Sequence, residues 1–351
     1  MKTILRHVIL ILVSGLAHSM AYGSITDPSA HTKGLSDFDR QSLLTPKIQQ
    51  QVQFACGKDT CHGELWKPIT PPHTAAPIVV MAHGFALQYE WGLLPFAEQL
   101  VKNGMAVLLF DYRGFGLSTG QPREVVDGTQ HVQDYLSAVD FVKTLPDVNT
   151  HNIALWGTSY SGGHVLVAAA KLRNDPALRA VVAQVPFVDG ISSAFALSAG
   201  QLTKATWLAT RDTAHQIFNS APVYIPVVSE QGFAAFNNPE DWLGYRHLIP
   251  KNANWPNRVA SRIFRTLPLY RPINSVDKIQ VPILILAGEK DTLIPIAGTR
   301  KAAQQNPKVE YVEFAGATHW TPYVSPLFEQ SVQHQVRFLQ QHLQQTPQLT
   351  Q

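Results

Sequence analysis

The chain has 351 residues, 45% of them hydrophobic, and a formal net charge of +3. That is enough apolar material for a large core and too little concentrated charge for a nucleic-acid or anionic-surface partner. Only two cysteines occur, which excludes a disulfide-dense scaffold or a multi-cysteine zinc centre.

Met1 to His7 carries Lys2 and Arg6, an apolar run follows from Val8 to Ala17, and small residues stand at Ser19 and Ala21. This is the layout of a signal peptide over residues 1–21, cleaved after Ala21. The apolar run is about half of the ~20 residues a membrane span needs, so no stable anchor is expected after cleavage. Residues 22–50 read as an N-terminal segment. Cys56 and Cys61 flank Gly57-Lys58-Asp59-Thr60, a hairpin tip between strands Val52–Ala55 and Glu64–Trp66. In an exported protein two cysteines this close across a turn form a disulfide; two free thiols are the alternative.

From Ile78 the chain alternates buried strands with amphipathic helices, the pattern of a mostly parallel sheet covered on both faces. The predicted strands are Ile78–Ala82, Met105–Asp111, Ile153–Trp156, Ala180–Val185, Pro282–Ala287 and Glu310–Phe314. Helices are predicted near Trp91–Asn103, Gln130–Lys143, Gly162–Lys171 and Leu327–His342. These elements define a core in two parts, residues 51–186 and 278–345, with a frayed Gln-rich tail over 346–351.

Between the two parts, residues 187–277 break the rhythm. They are rich in Pro, Asn and Trp, with predicted helices around Ala194–Phe218 and Trp255–Thr266. A connection that long in a compact domain is an inserted subdomain rather than a structureless loop. Its expected place is as a cap over the carboxyl edge of the sheet, the alternative being a lobe unrelated to the site.

The chemistry-bearing stretch is Gly157-Thr158-Ser159-Tyr160-Ser161-Gly162-Gly163. An apolar strand runs into it and a small-residue helix leaves it, so Ser159 sits on a sharp strand-to-helix turn, where a hydrolase holds its nucleophile. Ser161 stands where G-x-S-x-G has its last glycine, and it meets the same demand for a small residue. A serine needs a histidine base and a carboxylate to orient that base. Asp291 follows strand Pro282–Ala287 and His319 follows Glu310–Phe314, so three strand ends bring Ser159, Asp291 and His319 to one sheet edge. His83-Gly84-Phe85 follows strand Ile78–Ala82 in the same way. The backbone N–H groups of Phe85 and Tyr160 are the expected oxyanion hole.

These residues resemble the α/β-hydrolase superfamily, as do Asp111-Tyr112-Arg113-Gly114-Phe115-Gly116-Leu117-Ser118 and Gly288-Glu289-Lys290-Asp291. Within it the chain is most similar to bacterial dienelactone-hydrolase-like and X-Pro-dipeptidyl-peptidase-like serine hydrolases, and the resemblance runs from about Gln51 to His342. It implies the α/β-hydrolase fold and hydrolysis, and does not name the substrate.

Ser161 and Ser118 are rival nucleophiles: the first points back into helix packing, the second has no helix behind it. Asp189 is a rival acid, read instead as a turn residue before Gly190. Asp111 and Arg113 read as a structural pair, Asp134 as solvent-facing, and His83 as a brace for the oxyanion loop. Trp91, Trp207, Trp242, Trp255 and Trp320 are either core or pocket, and Trp320, beside His319, is the candidate for substrate contact. The histidines lack metal-ligand spacing, and neither metal nor cofactor is expected.

The leading expectation is an exported, periplasmic or extracellular serine hydrolase acting on a small carboxylic ester through an acyl-enzyme. A peptidase, amidase or thioesterase of the same fold is the enzymatic alternative, and a non-catalytic binding protein the other. Nothing in the residues sets the oligomeric state.

Overall fold

In the computed structural model, which describes residues 47–71, 74–195 and 198–343, eight strands form one sheet. The predicted signal peptide, most of the N-terminal segment and the tail lie outside the described residues. Strands β1 (Lys47–Cys56) and β2 (Asp59–Pro68) are an antiparallel hairpin, and β2 pairs antiparallel with β4 (Ala106–Phe110). From there all pairs are parallel, through β3 (Ala76–Ala82), β5 (Val148–Thr158), β6 (Leu178–Gln184), β9 (Ile283–Gly288) and β10 (Val309–Phe314).

The composition of each strand follows from its place. β4, Ala-Val-Leu-Leu-Phe, and β9, Ile-Leu-Ile-Leu-Ala-Gly, are buried at every position because helices cover both faces. At the edge, β1 buries Val52, Phe54 and Cys56 while Gln51, Gln53 and Ala55 stay exposed, the period-two alternation of a strand with one wet face. Helices α1 (Leu94–Lys102) and α9 (Leu327–Leu343) meet on one face of the sheet. Helices α2 (Gly128–Val142) and α3 (Tyr160–Lys171) pack together on the other. α2 starts where the Asp127 side chain accepts from the Thr129 and Gln130 amides. A helix α8 (Ile296–Gln304) joins β9 to β10; only Thr299 and Ala302 of it are buried, too thin an apolar stripe to announce itself in the sequence.

Cys56 and Cys61 are joined as a disulfide with Cα atoms 5.7 Å apart. The hairpin they close lies against the loop after β4: the His62 amide donates to Ser118 Oγ (2.8 Å), the Thr60 amide to Thr119 Oγ1 (2.8 Å), and the Thr119 amide to Thr60 O (2.9 Å).

Residues 187–277 depart in detail from expectation. The first predicted helix is two, α4 (Gly190–Phe195) and α5 (Ala199–Ile217), the latter opened by a capping box between Ser198 and Gln201. Helix α6 (Pro239–Leu248) was not foreseen. The helix predicted over Trp255–Thr266 shrinks to α7 (Ile263–Thr266). Pro256 disfavours helical backbone at Trp255, Asn257 takes a positive φ of 42°, and β8 (Val259–Ala260) pairs with β7 (Tyr224–Ile225). Among the described residues no helix is long and apolar enough to cross a membrane.

Candidate active site

β5 ends at Thr158 and α3 begins at Tyr160, which leaves Ser159 alone to reverse the chain. Its backbone takes φ 57° and ψ −123°, outside the regions side chains favour. Neighbours hold it there: the Ser159 amide donates to Gln184 O (2.9 Å) and its carbonyl accepts from the Phe187 amide (2.8 Å). Strand and helix cross so tightly that a Cβ on Gly157 would lie 2.3 Å from the Ser161 carbonyl oxygen.

His319 Nε2 lies 3.0 Å from Ser159 Oγ, and His319 Nδ1 lies 2.7 Å from Asp291 Oδ2. The other carboxylate oxygen of Asp291 accepts from the amides of Leu293 (2.9 Å) and Ile294 (2.7 Å), which fixes its orientation. With Nδ1–H donating to Asp291, Nε2 presents its lone pair to the serine hydroxyl. His319 is 1% exposed. Burial alone would lower its pKa, but the Asp291 carboxylate, with Asp241 and Glu240 behind it, outweighs that and holds the imidazole above its ordinary value.

Gly84 comes close enough to the serine that an added Cβ would sit 3.3 Å from Ser159 Cβ, which places the His83-Gly84-Phe85 turn beside the hydroxyl. The Tyr160 amide is the first of α3, one of the N–H groups that a helix start leaves without an intrahelical partner. The Phe85 carbonyl accepts from Tyr245 Oη at 2.8 Å. His83 is fully buried, with its Nδ1 2.9 Å from Gly84 O and its ring against Tyr112 and Phe115. Burial pushes its pKa down to about 4, so it is neutral.

An apolar cavity opens at Ser159. Its walls are Phe85, Tyr160, Leu293 and Ile294 from the sheet edge, and Phe187, Ala235, Phe236, Ile263, Phe264 and Leu267 from the 187–277 segment. Among the described residues, no carboxylate, lysine or arginine side chain lines it.

Several sequence readings change. Trp320 does not line the cavity: its Nε1 donates to Asp241 Oδ1 (3.0 Å) and its ring packs against Tyr245. Nor does any other tryptophan; phenylalanine, Tyr160 and aliphatic side chains form the walls, and Trp207 is 59% exposed. Arg113 pairs with Asp134 (2.6 Å), not with Asp111, and Asp134 is fully buried rather than solvent-facing. Asp111 instead accepts from the Tyr89 and Leu117 amides. Ser161 is fully buried between Tyr112 and Tyr135, and Ser118 Oγ donates to Asp111 O, so neither faces His319. Asp189 pairs with Arg271 at 2.8 Å.

Asp241 and Tyr245 of α6 escaped the sequence reading. The signal was present: Asp241, Gly244, Tyr245 and Leu248 share one helix face, and all are buried. A carboxylate and a glycine on a buried stripe are unusual enough to mark.

The family model for serine aminopeptidase, S33 (Hydrolase_4) matches residues 73–322. The quorum-quenching protein AidA of Acinetobacter baumannii is 36% identical over 295 residues, covering 84% of this chain and 95% of that protein. The thiohydrolase aneE of Aspergillus aculeatus is 28% identical over 279 residues, covering 75% of this chain and 85% of its own. Among solved structures, the α/β hydrolase GrgF from Penicillium sp. superposes with a TM-score of 0.71 at 24% identity, covering 86% of this chain and 100% of that one.

Proposed function

The chain belongs to the serine aminopeptidase S33 family of α/β-hydrolases, and from that premise we propose an exported serine hydrolase that cleaves small carboxylic esters through an acyl-enzyme. The observation that carries the reading is the unbroken chain Ser159 Oγ to His319 Nε2 to Asp291 Oδ2, at 3.0 and 2.7 Å. In this reading His319 takes the hydroxyl proton as Ser159 attacks the carbonyl carbon. The Phe85 and Tyr160 amides receive the oxyanion, and His319 then protonates the departing alcohol. Asp291 holds the imidazole in the tautomer that makes this possible and stabilises the imidazolium. A water, deprotonated by the same histidine, releases the acid and restores Ser159.

Residues 187–277 act as the cap, since six of them supply one wall of the cavity. The apolar lining favours an acyl compound over an aminoacyl one, because an α-ammonium entering the cavity would meet no anion among the described lining residues. Similarity to a quorum-quenching protein supports a quorum signal as a candidate substrate. Thioesters are the second reading, favoured by the likeness to a thiohydrolase; the same triad would serve, with a thiolate in place of the alkoxide. Export is supported by the signal layout of residues 1–21 and by the pairing of both cysteines, since disulfides persist in oxidising compartments.

Ser159→Ala, purified beside the wild-type protein, should lose turnover of p-nitrophenyl acyl esters while keeping its circular dichroism spectrum. Wild-type protein should leave aminoacyl p-nitroanilides untouched. Undiminished ester turnover by Ser159→Ala would overturn the assignment.

A further inference from the structure

Helix α6 meets the site in two places from one face. Asp241 accepts from Trp320 Nε1 at 3.0 Å, and Trp320 follows His319 directly, their rings edge to face with centroids 5.2 Å apart. One helical turn later, Tyr245 Oη donates 2.8 Å to the carbonyl of Phe85, the residue whose amide faces the oxyanion position in the reading above. Residues four apart on a helix lie one above the other, so Asp241 and Tyr245 reach two different loops of the sheet edge from a single stripe. Between them is Gly244. A Cβ there would lie 2.1 Å from the Trp320 ring, so the indole is seated in a notch that only glycine leaves open. The Tyr245 ring closes the notch edge to face, centroids 5.1 Å apart. All three α6 residues are buried.

From this geometry we infer that α6 is a clamp on the catalytic machinery: Asp241, through Trp320, and Tyr245, through Phe85, are positioning residues for the histidine loop and the oxyanion loop. The inference rests on the serine-hydrolase reading. It assigns the 187–277 segment a second duty: docking of α6 completes the site, while other residues of the segment wall the cavity. A carbonyl that accepts a hydrogen bond fixes the plane of its peptide, and the Phe85 carbonyl orients the peptide linking Phe85 to Ala86 immediately after the oxyanion amide. Asp241 also adds a negative charge behind His319. The charged groups acting on that imidazole are Asp291, Asp241 and Glu240, all of one sign. Burial pushes Asp241 itself up to about 6.

The test uses the full-length protein and four variants: Tyr245→Phe, Asp241→Asn, Ser159→Ala and, as a control, Arg246→Ala on the exposed side of the same helix. Tyr245→Phe keeps the ring and removes one hydroxyl. It should lower kcat about tenfold, the kinetic equivalent of one hydrogen bond, with KM within twofold. Asp241→Asn keeps an oxygen for Trp320 and removes the charge. The acid limb of its kcat/KM profile should move to lower pH, because one anion no longer stabilises the imidazolium. Arg246→Ala should match wild type in both readouts. Wild-type kcat in Tyr245→Phe together with an unmoved acid limb in Asp241→Asn would overturn the clamp. A loss of rate matched by an equal loss of folded fraction in circular dichroism would do the same. Undiminished turnover in Ser159→Ala would instead remove the reading beneath it.

Discussion

Placing at position 161 the glycine of the G-x-S-x-G pattern should weaken this protein. Ser161 Oγ is fully buried, 2.9 Å from Tyr112 Oη and 2.7 Å from Tyr135 Oη. Tyr135 has other partners: it donates to Trp156 O (2.8 Å) and accepts from the Ala82 amide (3.1 Å). Tyr112 Oη donates to Ser161. Removing the serine hydroxyl deletes both of these buried hydrogen bonds, which costs about 1–3 kcal/mol. Ser161→Ala should therefore lose about that much, and Ser161→Gly roughly 1 kcal/mol more, because position 161 lies in the first turn of α3. Urea unfolding would show a lower midpoint with an unchanged slope. Adding Tyr112→Phe to Ser161→Ala removes the hydroxyl that has lost its serine acceptor and should recover part of the loss. Turnover should stay within about twofold throughout, since Ser161 has no contact with His319 and its cost falls on the folded state rather than the barrier. A Ser161→Gly protein as stable as wild type, or a double variant no better than Ser161→Ala, would refute the reasoning.

Two further outcomes follow from charges. Protonated His319 cannot take a proton from Ser159, and its pKa stands above the ordinary 6.5, so kcat/KM should fall as pH drops through a limb centred above that value. Asp291→Asn should move this limb down and cut kcat by orders of magnitude; a wild-type limb below 6.5 would contradict the assignment. Asp212 takes the Nε (2.8 Å) and Nη2 (2.9 Å) of the buried Arg262. Asp212→Ala leaves that guanidinium unpaired and should destabilise the 187–277 segment by about 3–5 kcal/mol, read as faster proteolysis between α5 and α7.

What could be read from the residues was what repeats. The central strands of the core announce themselves because they are buried on both faces, and the triad because each member stands just past a strand of the parallel sheet, although the edge strand β10 buries only Phe314. The walls of the cavity were another matter. Phe236, Ile263 and Phe264 sit in a segment whose turns, at Pro256 and Asn257, follow local chemistry with no period, and their convergence on Ser159 depends on docking across the sheet edge. Tryptophans beside such residues looked like pocket by size alone, yet the indole of Trp320 is committed to Asp241. Similarly, Arg113 has Asp111 two residues away and Asp134 twenty-one away, and it pairs with the distant one because α2 packs its buried face toward that loop. Proximity in sequence is a poor guide once a helix intervenes.

The hydrogen bond between Ser159 and His319 joins residues 160 apart in the chain. Contacts of that span form late, after the intervening segments have found their places. In the proposed mechanism the serine has no base until the loop after β10 has docked, so reactivity would appear only once that contact has formed. For a chain that crosses a membrane unfolded, as the export reading has it, the compartment in which it is made would never meet an armed nucleophile. The order of the triad along the sequence would then act as a timer.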